Sequence, residues 1–214
     1  AHDLQMRLLP DATTVAPTAI VAARVVPAES VGGALYNLFP LGPGKTGVMV
    51  GDVSGHGYQA ALIMALAMSA SAIHAQATAD PGETLTALLA SLQVELARSE
   101  MFVSMFYGVV DRQAGRLRYA NAGHPHAFVI SRSGVAERLP ALDPPLGMGT
   151  TTPSGEARPW SSDDLLLLFT DGVSDARDVH GNRLGEARIL ELAAQRREDS
   201  PDRLLEAMLD LLAR

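Results

Sequence analysis

The sequence predicts an α+β fold in which mainly antiparallel sheets pack together and pairs of helices cover the outside. Between positions 101 and 139, short apolar runs alternate with turn residues such as Gly115 and Gly134, which is typical of an antiparallel meander. One pair of helical segments separates two groups of strands and a second pair closes the chain, an order that favours α+β. With 214 residues, of which 47% are hydrophobic, the chain is long enough for one well-buried domain.

The composition excludes several classes of function. A net charge of −7, without a cluster of Lys or Arg, argues against nucleic acid and against an anionic membrane surface as partners. The absence of cysteine excludes disulfides, thiolate metal sites and cysteine nucleophiles. The polar N-terminus does not resemble a signal peptide, and the apolar segment 60–79 is alanine-rich with polar interruptions, which indicates a buried helix. We therefore expect a cytoplasmic location.

The N-terminal part is predicted to begin with the end of a helix. Leu4, Leu8 and Leu9 lie near one helical face, and the pattern stops at Pro10. We interpret residues 1–10 as the end of a linker helix and residues 11–214 as the domain. The β-branched run 18–26 and the apolar run 46–50 are predicted strands.

The glycine-rich segment before position 50 is predicted to be a turn. LGPGKTG contains Gly42, Pro43, Gly44 and Gly47, and this density of glycine and proline is typical of a turn. Its GPGKTG part resembles a phosphate loop, but that motif needs a glycine where this chain has Phe39.

The remaining elements follow from hydrophobic periodicity and from helix-capping residues. GDVSGHG leads into a helix that we expect to be buried on most sides, and Asp80 and Pro81 begin a second helix. The predicted helices are 58–77, 81–98, 186–197 and 202–213, and the predicted strands are 101–110, 115–121, 127–131, 135–139 and 165–169.

Two aspartates stand at equivalent places in the predicted fold. Asp52 and Asp171 each follow an apolar strand and each lie beside a glycine. An Asp-Gly after a strand is often a turn residue that bonds its own backbone. Two of them also fit an oxygen-ligand shell for Mg²⁺ or Mn²⁺. Both interpretations stay open on these residues alone.

Histidines offer weaker candidates. His124 and His126 lie two residues apart in NAGHPH, but no third ligand stands at a suitable spacing, so we interpret the segment as a structural turn. In that turn Asn121 and His124 are expected to bond the backbone. Ser54 and His56 are neighbours on a turn without the spacing of a nucleophile elbow, so a Ser-His-Asp triad is not predicted.

Four ordered motifs carry a family resemblance. GDVSGHGYQAALIMA, MFVSMFYGVVDRQAGRLRYANAGHPHAFVI, PPLGM and LLLLFTDGVSDARD resemble the PPM metal-dependent serine/threonine phosphatases of the SpoIIE-like branch. The resemblance implies an α-β-β-α sandwich and a centre of two Mn²⁺ or Mg²⁺ ions. It also implies that Asp52 is a bridging ligand, that Val53 lends its backbone carbonyl and that Asp171 binds one ion. Asn121, Gly123 and His124 belong to a family motif with a mainly structural role.

The resemblance also implies a function and partners. Such domains hydrolyse phosphoserine or phosphothreonine on a regulatory protein of the anti-sigma-factor antagonist type, under an upstream sensor domain joined through the N-terminal helix. The alternative is a pseudophosphatase that binds the phosphoprotein without hydrolysing it.

Two departures from the family pattern bear on activity. VGGALYN has Ala34 and Asn37 where the family usually has carboxylates, and the chain stops at Arg214 before the family's Asp-Asp strand. We therefore expect a sheet without its last strand and impaired binding of the two metals. An unpaired sheet edge would also favour a homodimer.

Overall fold

Two antiparallel sheets face each other in a computed structural model of the chain, which describes residues 2–27 and 30–213. Sheet A has the strand order β1-β2-β3-β4-β7, and sheet B has the order β6-β5-β8. The strands are β1 Ala34–Pro40, β2 Lys45–Val53, β3 Val103–Asp111, β4 Arg116–Ala122, β5 Ala127–Ile130, β6 Ala136–Arg138, β7 Glu156–Pro159 and β8 Leu165–Leu168. The α-helices are α1 His2–Met6, α2 Gly57–Ala77, α3 Pro81–Ser99, α4 Asp171–Ser174, α5 Glu186–Gln195 and α6 Pro201–Leu212, and a 3₁₀ helix spans Ala12–Val15.

The fold has four layers, in the order helices, sheet A, sheet B and helices. Each sheet can pack on both of its faces, because side chains alternate between the two faces of each strand. On the outer face of sheet A, Met49 and Met105 pack with Leu92 of α3. Between the sheets, Phe106 packs with Val129. On the outer face of sheet B, side chains from β5, from α5, from α6 and from the residue after β8 form one core. Its buried members are Phe128, Ile130, Phe169, Ile189, Ala193, Leu204 and Met208. The predicted α-β-β-α sandwich is confirmed.

The turn predicted before position 50 connects β1 and β2. Gly42 and Gly44 have φ angles of 102° and 69°, and the Leu41 N–H donates to the Lys45 carbonyl at 3.2 Å. Residues on either side of the turn pair along the whole length of β1, from Pro40 with Thr46 to Ala34 with Asp52. The segment is therefore a hairpin turn.

The predicted strand at 18–26 is wrong. This segment is irregular, and Ile20 and Val26 are 82% and 74% exposed. The strand beside β2 is instead Ala34–Pro40, which the short hairpin turn brings into register. Because β3 occupies the other edge of β2, no edge of that strand is left for residues 18–26. A strand needs a partner as well as β-branched residues.

The two helices on sheet A agree with their predicted bounds but not fully with their predicted burial. α2 buries one side, including Ile63 and Met64, and exposes large residues such as Leu62 and Ile73 on the other. By length and hydropathy α2 could cross a membrane, yet in this structure its buried side packs on sheet A and α3. The Asp80 carboxylate caps α3 by accepting from the Glu83 N–H at 3.0 Å.

The remaining predictions differ little from the structure. The helices at 186–197 and 202–213 are present as α5 and α6, and β7 is a short edge strand that the sequence did not reveal. The α1 helix packs onto the domain, because the buried Gln5 side chain accepts from the Gly32 N–H at 3.1 Å. A domain boundary at residue 10 stays a prediction.

Candidate metal centre

Asp52 lies near the end of β2, between two paired strands. In the register of sheet A it is opposite Ala34 of β1 and Ser104 of β3. Since side chains directly opposite in antiparallel strands have Cβ atoms about 5 Å apart, Ala34 and Ser104 are the nearest neighbours of the Asp52 carboxylate within the sheet. The Asp52 position shares its face with Val50 and Phe106, so the carboxylate is on the side facing sheet B.

The chain around Asp52 is shaped by close backbone contacts. A Cβ on Gly33 would lie 2.7 Å from the Val53 carbonyl oxygen, so only glycine lets the start of β1 approach this point. Beyond Val53, the Ser54 N–H donates to the Phe102 carbonyl at 2.8 Å, and Gly55 turns with φ of 81° towards α2. The Val53 carbonyl therefore lies beside Gly33, and its role as a ligand stays a prediction.

Asp171 reaches the same region from sheet B. It follows β8 and is the first residue of the single-turn helix α4. Its side chain is 66% exposed, and its Oδ1 atom lies 2.9 Å from Nε2 of His126. The Ser174 hydroxyl lies 3.1 Å from the same nitrogen. The turn after β8 thus holds the Asp171 carboxylate against an imidazole.

His126 is the site residue that the sequence reading missed. Its ring is buried at the start of β5, with Nδ1 2.6 Å from a Glu186 carboxylate oxygen and a stacked contact of 4.5 Å to Phe169. Arg138 pairs with Glu186 and donates to the Pro125 carbonyl at 2.6 Å. The available signal was the second imidazole of NAGHPH, which the pairing of β5 with β8 within sheet B brings to Asp171.

The predicted structural role of Asn121 is confirmed. Asn121 accepts from the His124 N–H at 2.8 Å and donates to the carbonyls of His124 and Leu139. The His124 imidazole is buried, and its interactions with the backbone of Phe169 and His126 only partly offset the effect of burial. Burial, and then the neighbouring His126, lowers the pKa of His124 to about 4.

Electrostatics links the two aspartates. Burial, and then the charge of Asp171, raises the pKa of Asp52 to about 6. Burial pushes the pKa of Glu186 upwards, but hydrogen bonds from Arg138 and His126 outweigh it, so the pKa is lowered. Asp52 and Asp171 therefore form one acidic site between the sheets, in which bringing both charges together is costly without a cation.

The donors of this site do not fit a centre of two metal ions. Among residues 2–27 and 30–213, no group of three or more His, Asp or Glu side chains is arranged to hold a metal. Ala34 contributes no oxygen opposite Asp52, and one oxygen of Asp171 is engaged by His126. The two carboxylates of Asp52 and Asp171 alone fall short of the oxygen ligands that a hard divalent cation takes.

Asn37 has a different place from the one that the family pattern suggests. It pairs with Met49 and lies on the outer face of sheet A, where its amide donates to the Ser71 hydroxyl at 3.2 Å. It is buried against α2 and does not face Asp52. Of the two departures in VGGALYN, therefore, only Ala34 bears on the candidate metal centre.

Comparison with known proteins points to one family. The family model described as Stage II sporulation protein E (SpoIIE) matches residues 42–214. Protein IcfG of Synechocystis sp. is 30% identical over 193 residues, covering 77% of this chain and 30% of the relative. Phosphoserine phosphatase RsbP of Bacillus subtilis is 29% identical over 151 residues, covering 69% of this chain and 38% of the relative. The chain thus spans well under two thirds of either relative's length.

A solved structure has the same fold. The SiaA-PP2C domain of Pseudomonas aeruginosa superimposes with a TM-score of 0.84 at 24% identity, covering 99% of this chain and 86% of that one. At this identity the likeness concerns the fold alone. The two facing sheets and the helix pairs are therefore those of a PP2C-type fold.

Proposed function

The chain belongs to the SpoIIE family, and from this premise we propose that it is a protein serine/threonine phosphatase domain with weakened metal binding. Its substrate would be a phosphoserine or phosphothreonine on a regulatory protein, and its cofactor Mn²⁺ or Mg²⁺. The single observation that carries the proposal is Ala34 directly opposite Asp52 on the neighbouring strand. The fold and one carboxylate from each sheet are present, while the adjacent position has no oxygen donor.

The weakening follows from charge. A divalent cation between two carboxylates loses a large Coulomb attraction when a third anionic ligand is absent, and water restores only part of it. Metal affinity should therefore fall by about two decades or more relative to a complete site. We expect the domain to need high concentrations of Mn²⁺ for any hydrolysis.

The proposed partner follows from the family. RsbP carries phosphoserine phosphatase in its name, and the motifs resemble the branch that acts on anti-sigma-factor antagonists. We propose a regulatory phosphoprotein of that kind as substrate, in the cytoplasm, with a sensor domain coupled through the N-terminal helix. A homodimer covering the free edge of β8 belongs to the same proposal, because β8 pairs only with β5 among the described residues.

A second candidate function is a pseudophosphatase that binds the phosphoprotein without hydrolysing it. The contact between His126 and Asp171 favours this alternative, because the imidazole occupies a carboxylate oxygen that a metal would need. In that case the site would serve recognition alone.

Hydrolysis of an aryl phosphate with increasing Mn²⁺ tests the two candidates. We expect slow hydrolysis by the unaltered chain, less by Asp52→Asn, and more by Ala34→Asp at low Mn²⁺. Equal background rates for the unaltered chain and Asp52→Asn would favour the binding module. Circular dichroism of all three proteins controls for folding.

A further inference from the structure

An arginine-lined cavity lies beside the loop that follows α4. It has a volume of about 430 Å³ and lies between residues 176–184, the start of α5 and the end of α6. Its cationic residues are Arg177, Arg183 and Arg188, and Leu184 and Leu211 provide apolar wall. A second cavity of about 220 Å³ between α5 and α6 shares Arg188 and Leu211 with the first and adds Arg196 and Asp210. Together they make a groove with an apolar floor, in which arginines outnumber carboxylates.

The charge of the first cavity is opposite to that of the whole chain. The chain has a net charge of −7, but three arginines and a single carboxylate, Asp178, line this cavity. That carboxylate is used within its own loop, where it accepts from the N–H groups of His180 and Asn182, each at 2.8 Å. The Asn182 side-chain amide donates to it as well, at 3.1 Å. Asp178 keeps its negative charge in these hydrogen bonds, but the arginines still outnumber it in the lining of the first cavity.

The three arginines differ in how far they are engaged. Arg177 donates to the Gly181 carbonyl at 2.6 Å, and Arg183 pairs with Asp175 at 3.1 Å in a half-exposed contact. Arg188 is exposed and has no ion pair or side-chain hydrogen bond within residues 2–27 and 30–213. Its guanidinium is thus available to an anionic ligand, at the point where the two cavities meet.

The cavity is attached to the candidate metal centre through a short, well-bonded segment. The Asp175 N–H donates to the Asp171 carbonyl at 2.8 Å, and the Leu184 N–H donates to the Ala176 carbonyl at 2.7 Å. The Gly185 N–H donates to the Ser174 carbonyl at 2.9 Å, which closes the base of the loop. From Asp171 to Ala176 is about one and a half helical turns, on the order of 10 Å. The cavity is therefore within reach of a peptide whose phosphorylated residue lies at Asp171.

We propose that this groove docks an acidic segment of the protein partner, next to its phosphorylated residue. Guanidinium groups bind carboxylates through paired N–H donors, and the apolar wall accepts the aliphatic side chains between them. The whole-chain charge disfavours a long polyanion such as nucleic acid, whereas a short acidic segment needs only the local cluster. The proposal rests on the proposed function, because it names the chemistry of the same partner.

The test is the binding of a fluorescent twelve-residue peptide of Glu, Asp and Leu, measured by anisotropy at physiological salt. The comparison peptide has Gln and Asn in place of Glu and Asp. Arg188→Glu tests the groove, and Arg203→Glu on the first turn of α6, outside both cavities, is the matched control. We expect Arg188→Glu to weaken binding of the acidic peptide about tenfold or more, and Arg203→Glu to change it less than about twofold.

The outcomes separate docking from catalysis. Equal binding of the two peptides, an unchanged affinity in Arg188→Glu, or equal losses in both variants would overturn the docking proposal. Aryl phosphate hydrolysis is measured in parallel and should be unaltered in Arg188→Glu, because a small substrate does not reach the groove. Localised peptide binding without any hydrolysis would support docking while contradicting the phosphatase activity.

Discussion

Sheet A and sheet B each supply one aspartate, but they hold it in different ways. Asp52 belongs to β2, which pairs along its length with β3 on one side and with β1 on the other. Asp171 follows β8, which pairs only with β5 among the described residues and whose four leucines are each partly exposed. Backbone pairing on both sides of β2 fixes the position of Asp52, whereas the hydrogen bond with the His126 side chain fixes the Asp171 carboxylate. One half of the site is therefore built into a rigid sheet, and the other depends on its neighbours.

A matched pair of leucine truncations should give the largest effect on this comparison. Leu92→Ala removes a side chain that is 1% exposed between α3 and sheet A, and should lower the free energy of unfolding by about 3–4 kcal/mol. Leu167→Ala truncates a partly exposed side chain of β8 and should cost about 1–2 kcal/mol. Urea denaturation measures both. Equal losses of unfolding free energy in the two variants would mean that sheet A and sheet B do not differ in packing.

Removing His126 should loosen the Asp171 half alone. His126→Ala abolishes the contacts with Asp171 and Glu186 and the stacking on Phe169, and should cost about 2 kcal/mol. Hydrogen exchange should speed up in the segment 165–175 and stay unchanged around Asp52. His126→Gln, which can restore one hydrogen bond, should recover part of the protection. Faster exchange throughout β2 would contradict the separation of the two halves.

Neutralising Asp52 should stabilise the protein in the absence of metal. Its pKa of about 6 in the fold lies above the ordinary value of 3.8, so the folded state holds more protons than the unfolded state between these values. Ionisation of Asp52 therefore costs stability as pH rises through this window. Because the group is partly solvated, Asp52→Asn should gain about 1–2 kcal/mol at pH 8 and nothing at pH 4.

Thermal unfolding in the presence of a metal chelator, at pH 8 and at pH 4, measures whether Asp52→Asn stabilises the protein as expected. Asp171→Asn is the matched variant on the other sheet, and it should gain less, because it relieves the repulsion with Asp52 but leaves His126 with a weaker, neutral acceptor. A gain for Asp52→Asn that persists at pH 4 would exclude the burial of its charge as the cause.

The smallest effect is expected at Ser104, the other neighbour of Asp52. Its hydroxyl lies 3.5 Å from the Asp52 carbonyl oxygen, at the limit of a hydrogen bond. Ser104→Ala should therefore change the free energy of unfolding by less than about 0.5 kcal/mol. A larger loss in urea denaturation would mean that β3 helps to hold the Asp52 position through side chains as well as through its backbone.

Much of the fold could be predicted because most elements follow from local patterns. The meander, the two helix pairs and the glycine turn between β1 and β2 depend on periodicity, caps and turn residues that the sequence displays. The first strand could not be placed this way. Residues 18–26 have better β propensity than ALYNLFP, but a free partner edge, which depends on the hairpin, decides which segment pairs.

The site was predictable only in part for a similar reason. Asp52 and Asp171 stand out because each follows an apolar strand beside glycine, and the structure couples them electrostatically. His126 and Glu186 are 60 residues apart and meet only when β5 and α5 are packed, so their spacing carries no signal. Ala34 and Asn37 looked alike in sequence, but strand alternation sends only the first to the face of Asp52.

The most direct test of the account is a calorimetric titration of the metal-free protein with Mn²⁺. We expect the unaltered chain to bind Mn²⁺ weakly, because Ala34 leaves the position opposite Asp52 without a side-chain oxygen donor. Ala34→Asp should bind Mn²⁺ about a hundredfold more tightly, and adding Asp52→Asn to it should remove that gain. Two tight Mn²⁺ sites in the unaltered chain would contradict the account.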